Sequence, residues 1–451
     1  MKDHNFLKEN NARQIWHPNG HPGDLQKNPP NIVTGSEGVH FIDIDGNKIV
    51  DGMAGLWNVN LGYSCQPIKD AITAQLERLP YYSAFAGSTN DAAIELAYEL
   101  AESFAPDGMG RAFFTSGGSD SVDTALRLAR QYHKVRGDAT RTKFLSLKKG
   151  YHGTHFGGAS VNGNAKFRTA YEPLLAGCFH LPAPYTYRNP FNTENPAELA
   201  QAILRVAEDE ILFQDPSTIA ALIMEPILGA GGVIVPHETL MPGFRALCDK
   251  YGILLISDEV ITGFGRTGHW SGARHWGVKP DLMTTAKAIT SGYYPVGAVM
   301  ISESVAEVFE KDETGRALIS HGYTYSAHPV GAAAAIACLA ETKRLKVWEN
   351  ATPRGTQLYD GLVKLKEEFS IVGDVRGGHG LMAGIEFVKD RATKEPVSPD
   401  LVVKIQKTAY ENGAMVRPLG NALVMSPPLI ITADQIDTIL NALRAGLKAH
   451  G

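Results

Sequence analysis

One lysine stands apart in the stretch Asp281–Met300, DLMTTAKAITSGYYPVGAVM: Lys287 lies among small and apolar neighbours, between the strand-like runs Leu282–Thr285 and Val296–Ile301. Burial disfavours an ammonium and lowers its pKa, which makes the side chain an amine nucleophile able to hold a Schiff base. The other reading, a lysine snorkelling to the surface, is common for lysines and is weakened by the lack of charge around this one. Upstream by 29 residues, the apolar run of ILLISDEVITGFGRTG delivers Asp258 and Glu259 at its carboxyl end. Ligands of open α/β sheets bind at that edge, and two acids there are costly unless at least one has a cationic partner. A turn pointing to solvent remains open for Glu259 and suits Asp258 less well, because Asp258 prolongs the apolar run. A third constellation, RAFFTSGGSDSVDTALRLAR from Arg111 to Arg130, runs through small residues into a long amphipathic stretch. Gly118 and Ser119 could offer backbone N–H groups and the positive end of a helix dipole to a phosphate. Taken alone, the same residues also read as a plain helix cap. In KGYHGTH, His152 and His155 have metal-ligand spacing, but no carboxylate or cysteine accompanies them, so a hydrogen-bonded loop is the better reading and no metal is expected. Tyr151 offers a flat face to an aromatic ligand.

The elements that must hold these residues follow from apolar periodicity. Ile219–Met224 (IAALIM) and Ile253–Ile256 (ILLI) are short, branched and apolar on both faces, as strands of a covered parallel sheet are. Between them, Leu240, Phe244, Leu247 and Cys248 recur at helical spacing until Gly252, which makes a strand, crossover helix and strand. Helices are predicted over Asn90–Phe104 and Asp120–Arg136, and a buried one over Gly331–Ala340 that is too short to span a membrane. VHFIDIDGNKIVDG alternates apolar and polar residues around Asp45-Gly46, a hairpin pattern. GIEFV, ALVMSPPLI and a last helix from Ala433 suggest a separate α+β region at the C-terminus.

Composition narrows the functional class. The chain has 451 residues, 44% apolar and 20% charged, which suits a soluble globular protein of more than one domain. The formal charge of −5 comes without any block of like charges, so neither nucleic acid nor an anionic membrane is expected as a partner. Cys65, Cys178, Cys248 and Cys338 form no CxxC, and MKDHNFLKENNARQIWHPNG lacks the apolar core of a secretory signal, so a cytoplasmic location is expected. The GxGxxG of Gly263–Gly268 follows the acids and precedes no helix with a packing face, which argues against a dinucleotide site and a dehydrogenase.

Phosphate cradle, strand-end Asp258 and isolated Lys287 resemble, in order and spacing, the class III aminotransferases, fold type I enzymes that use pyridoxal phosphate. LLISDEVITGFGRTGHW followed by TTAKAITSG is similar to that family's signature, and DGMAGLWNVNLGYS, GYHG, MEPI and HGYTYSAHP match further family blocks. The resemblance implies an α/β fold with a mostly parallel central sheet, helices on both faces, and a smaller α+β domain. It divides the chain into an N-terminal segment (1–60) joining the small domain, a large cofactor-binding domain (61–328) and a C-terminal small domain (329–451). It also implies roles. Lys287 would hold the cofactor as a Schiff base and, once released, move the proton between substrate Cα and cofactor C4′. Asp258 would keep the pyridine nitrogen protonated, Gly118 and Ser119 would bind the phosphate, and Tyr151 and Val260 would cover the two ring faces. Glu225 joins this cofactor-binding set. Thr324 would reach the phosphate of the neighbouring subunit, so that the active unit is a homodimer with sites at the interface, or a tetramer built from it.

Two departures from the family pattern carry information. The usual Asn-Ser-Gly-Ser-Glu of the cradle is similar to Ser116-Gly117-Gly118-Ser119-Asp120 here, which keeps the backbone contacts and leaves the side-chain role of Asp120 open. Ornithine and 4-aminobutyrate aminotransferases carry a glutamate five residues beyond the Glu of the EP block, where this chain has Ala230. Arg417, in MVRPLGN, resembles the mobile arginine of the pyruvate-dependent omega-aminotransferases, and Trp57 and Phe85 resemble pocket residues of that group. Tyr151, Ala230 and Arg417 would then meet substrate. The expected reaction is transfer of an amino group from a primary amine or omega-amino acid to a 2-oxo acid, pyruvate above all, in two half-reactions. Aminomutase, racemase or decarboxylase chemistry on the same fold, or a non-catalytic binding protein, are the alternatives.

Overall fold

The structure, a computed structural model, describes residues 3–85 and 87–451. The strands of its central seven-stranded sheet lie in the order Met109–Thr115, Gly297–Ser302, Leu282–Thr285, Leu254–Asp258, Ile219–Met224, Lys143–Leu147 and Cys178–Leu181. Neighbours from Leu282–Thr285 onward pair in parallel, while Gly297–Ser302 is antiparallel to both of its neighbours. Side chains alternate between faces along a strand, and here they divide between two cores. Leu222, Met224, Leu255 and Met283 enter a core shared with Leu96, Leu100, Ile203 and Phe244 of covering helices. Ala221, Ile223, Ile256 and Leu282 enter another, shared with Val122, Ala125 and Ala129. A sheet covered on both sides needs strands apolar on both sides, which is why IAALIM forms a strand and is buried throughout.

The helices begin and end where their chemistry dictates. Asp91–Phe104 starts after Asn90, whose side chain accepts from the Ala93 N–H, and Leu240–Tyr251 stops at Gly252 with φ 65°. Gly118–Val135 begins two residues earlier than its apolar stripe requires, taking Gly118 and Ser119 into its first turn. The small-residue run around Gly331–Ala340 lies within the helix Pro329–Leu345. Among the described residues no helix is long and apolar enough to cross a membrane.

A second sheet, of five antiparallel strands, contains Val372–Arg376, Ala383–Asp390, Ala422–Met425 and Arg417–Leu419. The hairpin of His40–Asp43 and Lys48–Asp51 belongs to a four-stranded sheet, closed by the parallel strand Ala414–Met415. Val39, Val50, Leu61 and Ile68 are buried in one cluster with Ile385, Leu423 and Leu443, so N-terminal and C-terminal segments share a core. Arg266, from the GFGRTG turn, is fully buried where these parts meet the central sheet. It donates to Asn60 Oδ1 at 2.6 Å and to the carbonyls of Leu381 and Pro427 at 2.8 and 2.6 Å. That turn is a structural joint rather than a nucleotide loop.

Candidate active site

Five strand ends meet at one edge of the central sheet. Following the strands that finish at Thr115, Leu147, Met224, Asp258 and Thr285, the chain presents the Gly118 turn, Tyr151 and His152, Glu225, Asp258 and Lys287. They line a cavity of about 130 Å³ with Ser119 and Val260, and it adjoins a larger one of about 940 Å³. Tyr151, Ile261 and Lys287 border both.

Lys287 has φ 49°, an uncommon conformation for a residue with a side chain, and opens a short 3-10 turn ending at Ser291, φ 51°. Burial pulls its pKa down to about 8, with Asp258 and Glu225 opposing that fall and Arg417 adding to it. Asp258 is buried and well satisfied: Oδ2 lies 2.8 Å from His152 Nδ1, and Oδ1 accepts from Thr284 Oγ1 at 3.0 Å and the Val260 N–H at 3.2 Å. Glu225 ties two loops together, accepting from the N–H groups of Tyr151 at 2.8 Å and Gly229 at 2.9 Å. Burial pushes its pKa up to about 7, against the pull of His152.

The cradle is open at the cavity. Helix Gly118–Val135 has Gly117 as its N-cap, no side chain caps it, and a Cβ on Gly118 would come 3.0 Å from Val260 Cγ1. Asp120 accepts from the Ser116 N–H at 3.0 Å and lies 2.7 Å from His155 Nε2, so its carboxylate braces the cradle loop and the loop that carries His155. Free N–H groups at a helix start, a flat Tyr151, a strand-end carboxylate and a buried amine together fit pyridoxal phosphate in its phosphate, ring face, ring nitrogen and aldehyde.

The larger cavity takes in Trp57, Ala230 and Arg417. Trp57 ends the short helical turn Ala54–Trp57, held by Asp51, which accepts from the N–H groups of Met53 at 2.9 Å and Gly55 at 2.5 Å and from Tyr63 Oη at 2.6 Å. Arg417 begins a strand of the five-stranded sheet, so this cavity lies where that sheet meets the central one. Burial lowers the Arg417 pKa, and among the described residues no carboxylate pairs with it.

Three expectations are corrected or extended. The solvent-facing turn considered for Glu259 does not occur: Glu259 is wholly buried and accepts from Ser257 Oγ, Thr262 Oγ1 and the N–H groups of Gly272 and Ala273, at 2.5 to 3.0 Å. His152 is a loop residue as expected, yet it is also the nearest partner of Asp258, 106 positions away in sequence. Neither Phe85 nor Thr324 lines either cavity of its own chain. Both are exposed and close together: Tyr81 Oη donates to the Thr324 carbonyl at 2.8 Å, and a Cβ on Gly322 would touch the Phe85 ring. Pro18, Asn19 and Lys166, which no motif singled out, border the larger cavity. Among the described residues no group of His, Cys, Asp and Glu is arranged to hold a metal ion.

Comparison with known proteins accords with this geometry. A family model, aminotransferase class-III, matches residues 24–447. The adenosylmethionine-8-amino-7-oxononanoate aminotransferase of Geobacter sulfurreducens is 36% identical over 99% of this chain and 98% of its own. The putrescine–pyruvate aminotransferase of Pseudomonas aeruginosa is 36% identical over 93% of this chain and 91% of its own. Among solved structures, an amine transaminase from an uncultivated Pseudomonas species, in its pyridoxal phosphate-bound form, superposes with a TM-score of 0.95 at 43% identity, covering 97% of this chain and 99% of that one.

Proposed function

The chain belongs to the class III aminotransferases, pyridoxal phosphate enzymes of fold type I, and from that premise we propose that it moves an amino group from a primary amine or omega-amino acid to pyruvate. The observation that carries the choice within the family is the larger cavity, where Arg417 has no carboxylate partner among the described residues and Ala230 occupies the place of the family's glutamate. A guanidinium free of an internal ion pair can clamp the carboxylate of a 2-oxo acid and release it for a donor that has none. One site then serves two half-reactions, amine in and oxo acid in, by turns.

The bound cofactor supplies an electron sink for the negative charge that develops at substrate Cα. The protein does the rest. The first N–H groups of helix Gly118–Val135 and Ser119 would hold the cofactor's phosphate, and Tyr151 and Val260, which line the same cavity, would bear on its ring. Asp258, oriented by His152 and Thr284, would keep a proton on the ring nitrogen. Lys287 Nζ would anchor the cofactor and, when free, would take the substrate Cα proton; a pKa near 8 suits a base that must also return it. Trp57 and Ile261 wall the cavity with apolar surface and limit water. Phe85 and Thr324, exposed together in one chain, are proposed to complete the site of a second copy in a homodimer.

The experiment is a scan of primary amines and omega-amino acids against the purified holoenzyme with and without pyruvate, following cofactor absorbance and alanine formed. Expected is a stoichiometric change of the cofactor with amine alone and turnover only when pyruvate is present. Turnover without any oxo acid would replace this reading by aminomutase or racemase chemistry.

A further inference from the structure

The larger cavity holds two cations besides Lys287, namely Arg417 and Lys166, and no aspartate or glutamate is among the residues that line it. Lys166 sits in the turn Ala165–Phe167, its Nζ 4.8 Å from the centre of the Phe167 ring. That ring meets Tyr151 edge-on with centroids 5.1 Å apart, so Lys166 stands one aromatic layer beyond the residue that faces the reacting centre. Among the described residues neither Lys166 nor Arg417 has an ion-pair partner, and the guanidinium acts on the ammonium as a like charge. Two unpaired cations facing one partly desolvated space repel each other, and an anion between or beside them relieves that repulsion.

We propose that Lys166 is a specificity-determining residue that receives a distal carboxylate or sulfonate at the far end of the amine donor, so that the cavity favours omega-amino acids over neutral amines and rejects diamines. The proposal rests on the aminotransferase reading above and narrows its donor class. With the donor amine at Lys287, a tail that extends through the same cavity past Tyr151 and Phe167 would approach the Lys166 ammonium. An anionic end finds an unpaired cation there. A second ammonium meets two positive charges and no acid among the lining residues, a like-charge contact that costs affinity.

The test compares three donors of matched length, 5-aminopentanoate, pentylamine and 1,5-diaminopentane, with pyruvate as acceptor, in the parent enzyme and in Lys166→Met, Lys166→Arg and Lys166→Glu. Expected for the parent is kcat/KM falling in that order. Lys166→Met should narrow the ratio of acid to neutral amine by about 5- to 10-fold, the scale of a partly exposed charge contact, and Lys166→Arg should restore it. Lys166→Glu should raise 1,5-diaminopentane above 5-aminopentanoate. A second readout needs no turnover: perturbation of the holoenzyme absorbance by glutarate and by butyrate, whose affinity ratio should shrink in Lys166→Met by a similar factor. A parent enzyme that uses the diamine as well as the neutral amine, or ratios unmoved by Lys166→Met in both assays, overturns this inference while leaving the aminotransferase reading intact. Absence of turnover with every amine overturns that reading instead, and the glutarate to butyrate ratio still decides the role of Lys166.

Discussion

In the proposed reaction the Lys287 amine would be a nucleophile, an anchor and a proton carrier, and all three tasks depend on how readily it loses its proton. Burial sets its pKa near 8, below the ordinary lysine range, so the neutral fraction grows as pH rises through 8 and falls about tenfold for each unit below it. The rate at which cofactor-free enzyme captures pyridoxal phosphate covalently should follow the same curve. Stopped-flow absorbance from pH 6 to 10 should show an inflection near 8, and an inflection near 10 would place the amine in water. Lys287→Ala should abolish capture and borohydride labelling while the protein still retains cofactor noncovalently. Asp258→Asn should leave the cofactor bound but slow proton transfer by orders of magnitude, because an amide cannot stabilise the protonated ring nitrogen. Single-turnover rates close to those of the parent would remove Asp258 from that role. For Arg417, loss of a charge-assisted clamp costs about 1.5–3 kcal/mol, so Arg417→Ala should lower kcat/KM for pyruvate about 10- to 100-fold. An aldehyde acceptor without a carboxylate should be affected far less, and equal losses for both acceptors would make the arginine structural.

Strand ends and the turns that follow them explain why these residues converge, and Glu259 shows how much one such turn supports. Its carboxylate accepts from two hydroxyls and from the first two N–H groups of the short helix Gly272–His275, while burial pushes its pKa up. Glu259→Ala would leave four buried donors unpaired, the hydroxyls of Ser257 and Thr262 and the N–H groups of Gly272 and Ala273, at a cost of about 3–5 kcal/mol. The expected outcome is a holoenzyme melting several degrees lower; an unchanged melting temperature would show that water replaces the carboxylate. The same turn marks a limit of the sequence. Adjacent residues of a strand point to opposite faces, so when the apolar run ends in two acids, periodicity places one inward and leaves the other ambiguous. Here both faces are covered, and Glu259 is buried because a helix start lies above it, a contact 13 positions downstream. Doubly apolar strands, the Asn90 and Gly252 helix limits and the Asp45-Gly46 hairpin were legible because local chemistry decides them. His152 as the partner of Asp258 was not, because a loop from another strand brings it there. Lys166 had no signal at all: one lysine in an exposed turn gains meaning only from the cavity beside it.

For the molecule as a whole, the unfinished feature is the exposed aromatic group of Tyr81, Phe85 and Tyr325 near Thr324, which are 38%, 51% and 61% exposed in a single chain. Large apolar side chains gathered on one surface are a common feature of interfaces, and on the reading proposed above a second copy of the chain would cover these. If Thr324 acts on the partner's phosphate, a defect there and a defect at Lys287 belong to different sites of a mixed dimer. In a hybrid of a Lys287→Ala chain with a Thr324→Ala chain, one site then carries both lesions. The other has an intact lysine from its own chain and an intact threonine from its partner. Removing one hydrogen bond to a charged phosphate costs about 1.5–3 kcal/mol, so the Thr324→Ala homodimer should hold cofactor about 10- to 100-fold less tightly than the parent. The hybrid, separated by a tag on one chain, should regain one site per dimer with parental cofactor affinity and about half the parental turnover. If Thr324 instead served its own chain, the intact lysine of the hybrid would sit beside the mutated threonine, and no site of parental affinity would appear.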